Sequence, residues 1–387
     1  MYHDKLSGLP YPKNIAGEII LDLTGCNLSD LPDYIHTIPN LRSLILVGNQ
    51  LTSLPNEIGN LTQLTKLQLD NNRITSLPAG LGDLTQLKEL TLHSNKLQIL
   101  PPQFVNLVNL THLTLDDNPL NTLPSCLNSC THLEHLSISG TGLSTLPSWV
   151  GELSLLKRLI LTRNDLIELP IELGNLNNLV KLDLEHNSLT TLPPWIGRLV
   201  NLEFLSFAYN QISELPKEIG DLIQLTEFFP SSNNIAYLPV EIGNNTNLRT
   251  FWMISNKLTS LPKEIGNLVN LKSFNLAHNN LTSIPAEIGN LTQLQEFNVQ
   301  QNNLIDLPDQ IGCLNGLLEL YIQINSITQL PSTIGNLSKL KELCAYSNWL
   351  TELPDEIEGL TNLEVLWLAQ NALTDLPRNL ETLHHLK

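Results

Sequence analysis

LTKLQLDNNRITSLPAGLGDLTQL, residues 64–87, is the sentence that most of this chain repeats. Leu64, Leu67, Leu69, Asn72, Ile74, Leu77, Pro78, Leu81, Gly82 and Leu84 precede Leu87, where the pattern restarts after 23 residues. Within Leu67-Gln68-Leu69 the alternation is that of a short strand, leucines facing in and Lys66, Gln68 and Asp70 facing out. Copies of such a unit stack, so the expectation is a parallel sheet built one strand per repeat.

The fixed letters have physical roles. The Asn72 position holds Asn in fourteen of sixteen repeats, Cys26 and Thr141 being the exceptions. An amide there both donates to and accepts from backbone groups left open as the chain turns inward. Proline recurs at the Pro78 position in all sixteen, fixing φ where a short helical or 3-10 turn begins. Glycine at the Gly82 position, in eleven repeats, suits the end of that turn. One copy cannot bury its own apolar face, so stability must come from neighbours.

The first repeat runs from Glu18 to Asn40, and later ones start at Leu41, Leu64 and every 23 residues up to Leu363, without insertion or deletion. This predicts residues 1–17 as an N-terminal capping segment and 18–387 as a single domain of sixteen repeats. The chain stops as a seventeenth repeat would begin, with His384 and His385 in its final turn. A polar cap normally closes such an array, which leaves two expectations open: that this turn suffices, or that the natural protein continues.

The consensus LxxLxLxxNxLxxLPxxIGxLxx resembles the leucine-rich repeat in its 23-residue form, typical of intracellular Ras-group scaffolds, their plant counterparts, Scribble-type polarity scaffolds and many bacterial proteins. The resemblance covers residues 18–386. It implies an α/β solenoid, a curved horseshoe with the parallel sheet on its concave face and short helical or 3-10 turns on the convex face, used to bind proteins. The chain departs from the eukaryotic relatives in having no long basic N-terminal tail, no RVxF-type sequence and no PDZ-like region. A Ras-pathway role is therefore an analogy.

A net charge of −17 argues against partners that need clustered Lys and Arg, so neither nucleic acid nor an anionic membrane is expected. The N-terminal MYHDKLSGLPYPKN lacks a signal-peptide core, and no apolar run approaches membrane-span length. Cys26, Cys126, Cys130, Cys313 and Cys344 form no paired framework, which fits a reducing, cytoplasmic location. Phosphate-loop, dinucleotide, zinc-protease and nucleophile-elbow motifs are missing, so neither an enzyme nor a cofactor is expected. His112 and His135 share one outward column and Asp70, His93 and Asp116 another. A metal or acid–base cluster is geometrically conceivable there, but an open hydrogen-bonding ladder is the simpler reading.

Aromatic residues carry more information. Phe228, Phe251, Phe274 and Phe297 take an inward leucine position and should pack as an internal column. Phe204, Tyr209, Phe229, Trp252, Tyr321, Tyr346 and Trp367 fall at outward positions, where the N-terminal half is mostly polar. We expect Phe204, Tyr209, Phe229, Trp252 and Ile254 to form one partner-binding patch and Tyr321, Tyr346 and Trp367 a second, unless the rings merely cover one another. Glu296, Glu319 and Glu342 stack in one column, either a solvated face or a contact for a basic partner surface. Glu57, Glu172, Glu218, Glu241, Glu264, Glu287 and Glu356 stand two residues after the repeat proline and read as structural. The repeat from Leu225 to Asn247 has Pro230 at an inward strand position and Asn245 at a leucine position, so its ladder should be interrupted, by drift or for function. Trp149 and Trp195 fall on the convex-side turns and could mark a second contact surface. The leading expectation is a non-catalytic scaffold that holds a protein partner on its concave sheet and acts in intracellular signalling. The alternative is the recognition segment of a larger GTPase- or kinase-linked signalling protein.

Overall fold

A computed structural model of the protein describes residues 10–387. It divides into two compact units, one reaching to Ser188 and one from Leu189 to Lys387. In the first unit the strands are β1 (Lys13–Ile15), β2 (Glu18–Asp22), β3 (Leu41–Ile45), β4 (Lys66–Gln68), β5 (Glu89–Thr91), β6 (His112–Thr114), β7 (His135–Ser137), β8 (Arg158–Ile160) and β9 (Lys181–Asp183). The second holds β10 (Phe204–Ser206), β11 (Glu227–Phe229), β12 (Thr250–Trp252), β13 (Ser273–Asn275), β14 (Glu296–Asn298), β15 (Glu319–Tyr321), β16 (Glu342–Cys344) and β17 (Val365–Trp367). Within each unit consecutive strands from β2 onward pair in parallel, and the repeat length sets the register, as in Leu67 with Leu90 and Leu320 with Leu343. Expected inward residues are buried through most of both units, but in the last repeat Leu366, Leu368 and Leu373 are half-buried and Leu376 is 55% exposed; the segments opposite the strands are 3-10 turns in the described residues.

Of the expected capping segment, residues 1–9 lie outside the described residues. Beyond them β1 runs antiparallel to β2, joined through Ala16 and Gly17, both at positive φ. The Asn14 side chain accepts a hydrogen bond from the Gly17 amide at 3.1 Å.

The strands are short because the chain leaves the sheet through a left-handed residue, Asn71 at φ +56° and Ser94 at +53° among them. Asn72 then closes the opened backbone. Its Nδ2 donates to the Leu46 and Leu69 carbonyls at 2.9 and 3.0 Å, and its Oδ1 accepts from the Leu51 amide at 3.0 Å. The repeat proline precedes each five-residue 3-10 turn, as Pro55 precedes Asn56–Asn60 with the Ile58 amide donating to its carbonyl. Glutamates two residues after the proline stand in the first turn, Glu57 and Glu218 for example.

The reason for the repeat glycine needs correction. Gly220 has no positive φ; instead, a Cβ there would lie 2.4 Å from the Glu241 carbonyl oxygen, and at Gly151 2.2 Å from that of Glu172. Glycine is required because the next turn packs directly on its backbone, not to end the turn in a left-handed conformation.

The phenylalanine column forms as expected. Phe228, Phe251, Phe274 and Phe297 are fully buried and stack with centroids 5.2, 5.3 and 5.8 Å apart. Phe207 meets Phe228 edge-on at 5.7 Å. Beside them, the Pro230 repeat is interrupted: β11 and β12 pair only through Glu227–Thr250 and Phe228–Phe251. Proline has no N–H to give the Trp252 carbonyl, and the Ser231 hydroxyl donates to it instead at 2.9 Å. Ser231 Oγ in turn accepts from the Ile254 amide at 3.1 Å. The break is thus patched by a side chain one residue on.

Asn245 is completely buried, and its Nδ2 donates to the Ile219 and Leu222 carbonyls at 3.0 and 2.9 Å. Both carbonyls also accept backbone amides, whereas Asn245 Oδ1 has no partner in the described structure. Asn245→Leu, which restores the leucine of other repeats, is expected to stabilise the protein by about 1 kcal/mol, since a buried unmet acceptor costs more than these shared bonds return. A rise in the urea midpoint checks this; a fall would show that the two donated bonds matter more.

Candidate binding surface

The outward strand positions build the surface, because alternation along each strand sends every second side chain away from the core. In the second unit Phe204, Phe229 and Trp252 are brought into ring contact, with centroids 5.4 Å apart in both pairs and an edge-on approach of Phe229 to Trp252. Trp252 keeps 38% of its surface exposed. Its Nε1 donates to Ser273 Oγ at 2.8 Å, which donates to Glu296 Oε2 at 2.7 Å. The indole is therefore oriented from its polar edge and packed against Phe229, with part of its surface left exposed. Tyr209, 55% exposed, stands at φ +56° on the turn after β10, and Ile254 is half-buried beside the Ser231 patch.

The second expected set is more dispersed. Trp367 is 56% exposed, whereas Tyr321 and Tyr346 are half-buried, and no ring contact joins the three among the described residues. Tyr321 donates through its hydroxyl to Glu319 Oε2 at 3.0 Å. Burial, and then that carboxylate, push the Tyr321 phenol above its ordinary range. Glu296, Glu319 and Glu342 are register neighbours on β14–β16. The Cys344 thiol, pushed up to about 12 by burial and by Glu342, donates to Glu342 Oε1 at 3.3 Å.

Two exposed apolar residues escaped the sequence reading. Ile324 is 42% exposed and sits at φ +57°, where a β-branched side chain is strained. Trp349 is 65% exposed just after the buried Asn348. A signal existed for both: equivalent positions in other repeats are mostly small or polar, as Ser94, Ser232, Lys96 and Asn303 illustrate. Trp195, in contrast, is no surface marker. It is 6% exposed, packed into the 3-10 turn Pro194–Arg198, and Trp149 is half-buried.

In the first unit Asp70 and Asp116 are hydrogen-bonded to the neighbouring repeat, whereas His112 and His135 stack ring on ring. Asp70 accepts from the His93 amide at 2.7 Å and the Thr91 hydroxyl at 2.6 Å. Asp116 accepts from the Ser139 amide at 2.6 Å and the Ser137 hydroxyl at 2.7 Å. Among the described residues no group of three or more His, Cys, Asp or Glu side chains could hold a metal ion.

The comparisons agree with this architecture. A leucine-rich repeat region model matches residues 121–228, 257–349 and 297–387, with further leucine-rich repeat models on 62–120 and 39–82. A leucine-rich-repeat protein of Leptospira interrogans is similar over 95% of this chain and 88% of its own, with 37% identity and a TM-score of 0.79. The chain is a member of the leucine-rich repeat family. A plant peptide hormone receptor, RGFR1 in complex with RGF2, is similar at 28% identity over 95% of this chain and 65% of its own, TM-score 0.77. A TDR receptor matches at 28% identity over 95% and 67%, TM-score 0.82. No curated protein sequence matches. No helix among the described residues is long and apolar enough to cross a membrane.

Proposed function

We propose that this chain is a non-catalytic binding scaffold that holds a protein partner against the outward face of β10–β17. The contact among Phe204, Phe229 and Trp252 carries this reading: three aromatic side chains gathered on a face where the core requires none, one of them oriented by Ser273. Tyr209 and Ile254 extend that patch, and Tyr321, Tyr346 and Trp367 give a second contact. Rigid aromatic anchors with satisfied polar edges are the usual centre of a protein interface. The carboxylates of Glu296, Glu319 and Glu342 beside them favour a partner with a basic surface. A peptide hormone receptor among the similar structures, solved with its ligand, is consistent with the use of this fold for polypeptide recognition. Five free cysteines suit a reducing, cytoplasmic setting, and a signalling role follows by analogy with scaffolds of this repeat type.

Affinity capture with the intact protein identifies the partner, and calorimetry then measures it. Trp252→Ala is expected to weaken binding by about 30-fold or more, the effect of losing a central aromatic anchor, and Trp367→Ala by about 10-fold. Unchanged affinity in both variants, with folding intact, would remove this reading.

A further inference from the structure

The first unit carries a recess that the binding reading above does not use. On its outward face Glu89, His112, His135, Arg158 and Lys181 follow one another in register across β5–β9. The His112 and His135 rings stack with centroids 5.9 Å apart and planes within 17°. Together with Thr91, Thr114 and Arg158 they line a recess of about 360 Å³.

Two carboxylates and two fixed cations line it, Glu89 and Glu134 with Lys157 and Arg158, and all but Arg158 are held in ion pairs. The Glu89 carboxylate is met by Lys66 Nζ at 2.8 Å, and that of Glu134, which also lines the recess, by Lys157 Nζ at 2.7 Å. Lys157 holds the Glu134 carboxyl below its usual range. Lys181 faces Asp183 at 3.9 Å, and Asp116, near His135, is held by Ser137 and Ser139. Arg158 is exposed and, among the described residues, has no carboxylate within ion-pair distance. What remains is one guanidinium beside two imidazoles. His135 is held below the ordinary imidazole range, chiefly by burial and then by the positive charges of His112 and Arg158; Asp116 opposes this and Lys181 adds to it.

We propose that His112, His135 and Arg158 form a proton-linked site for an oxyanion, a carboxylate or a phosphate group. The guanidinium supplies a fixed fork of donors, and each protonated imidazole adds N–H donors and charge. An anion in the recess relieves the repulsion between the stacked rings and favours their protonated forms. Affinity therefore rises as pH falls from neutral through the imidazole range, and is lost as pH rises above the range in which the liganded rings titrate.

The test is an NMR titration of the imidazole Cε1–H resonances of the whole chain, with inorganic phosphate and, separately, acetate, at constant ionic strength between pH 5 and 8. The expected result is a saturable shift of the His112 and His135 resonances, with affinity rising up to about tenfold per pH unit for each imidazole that takes up its proton. A response to phosphate, acetate or both supports the site and tells which oxyanion it prefers. Arg158→Gln, a change of an exposed side chain, is expected to weaken binding about tenfold or more, and His135→Gln to flatten the pH dependence. Two results would overturn the proposal: imidazole resonances that respond to neither anion, or Arg158→Gln protein that binds as tightly as the parent.

Discussion

Phe251→Ala lowers stability by about 3–5 kcal/mol, the cost of emptying a large aromatic site in a core that cannot collapse around it. Phe251 is fully buried and lies between Phe228 and Phe274, with ring centroids 5.2 and 5.3 Å away on its two sides. Truncation leaves a void flanked by two rings that are themselves fixed by Phe207 and Phe297. Strand register prevents the neighbours from closing it, since β12 is paired with β13 at all three of its residues. Phe251→Leu, the residue other repeats use, should cost about 1 kcal/mol. A repeat array need not unfold in one step, so a denaturation midpoint alone is insufficient. Amide exchange followed by mass spectrometry should show protection lost in peptides around residues 225–280. Uniform loss throughout the chain, or none in that segment, would contradict the local-cavity account.

Asn164→Leu is expected to cost about 3–5 kcal/mol, because a side chain of similar volume removes several buried hydrogen bonds at once. Asn164 does more than the other ladder asparagines. Its Oδ1 accepts from the Leu143 amide at 3.1 Å, as the motif requires, and also from the Thr141 amide at 3.1 Å and hydroxyl at 3.0 Å. Its Nδ2 donates to the Ile138 and Leu161 carbonyls at 2.7 and 3.1 Å. Thr141 stands where the preceding repeat would have had its own asparagine, so Asn164 serves two repeats. Asn187→Leu, at a site whose oxygen accepts only the Leu166 amide, should be the milder change. Comparing the two variants by urea unfolding, with exchange at the Thr141 and Leu143 amides, decides this. Equal costs would mean that Thr141 adds nothing to the load on Asn164.

Much of the architecture was legible because it depends on two periodicities. A spacing of two along the strand separates inward from outward side chains, and a spacing of 23 along the chain aligns equivalent residues in neighbouring strands. From these, the buried phenylalanine column, the asparagine ladder, the stacked glutamates and the interruption at Pro230 could all be read. The compensation by Ser231 could not. It depends on a hydroxyl reaching a carbonyl one repeat away, and serine also occupies many positions that repair nothing. The repeat glycine was found, but its reason was misread. Nothing in a single repeat reveals that the next turn passes 2.4 Å from an added Cβ at Gly220.

For the candidate surface, spacing places Phe204, Phe229, Trp252, Tyr321, Tyr346 and Trp367 on one side of their strands. It does not say which rings touch. Contact among the first three, and its lack among the last three, follow from rotamers and from what stands between them, such as Cys344 between Tyr321 and Trp367 in register. Trp195 was misread for a related reason: its turn position is open in a bare repeat and is closed by packing. The amino-acid order alone was enough to specify the repeat, the strand faces and the family, because those rest on periodicity that every copy restates. Side-chain contacts between repeats had to be seen in three dimensions, because they depend on rotamers and on distances of a few ångströms that the period does not set.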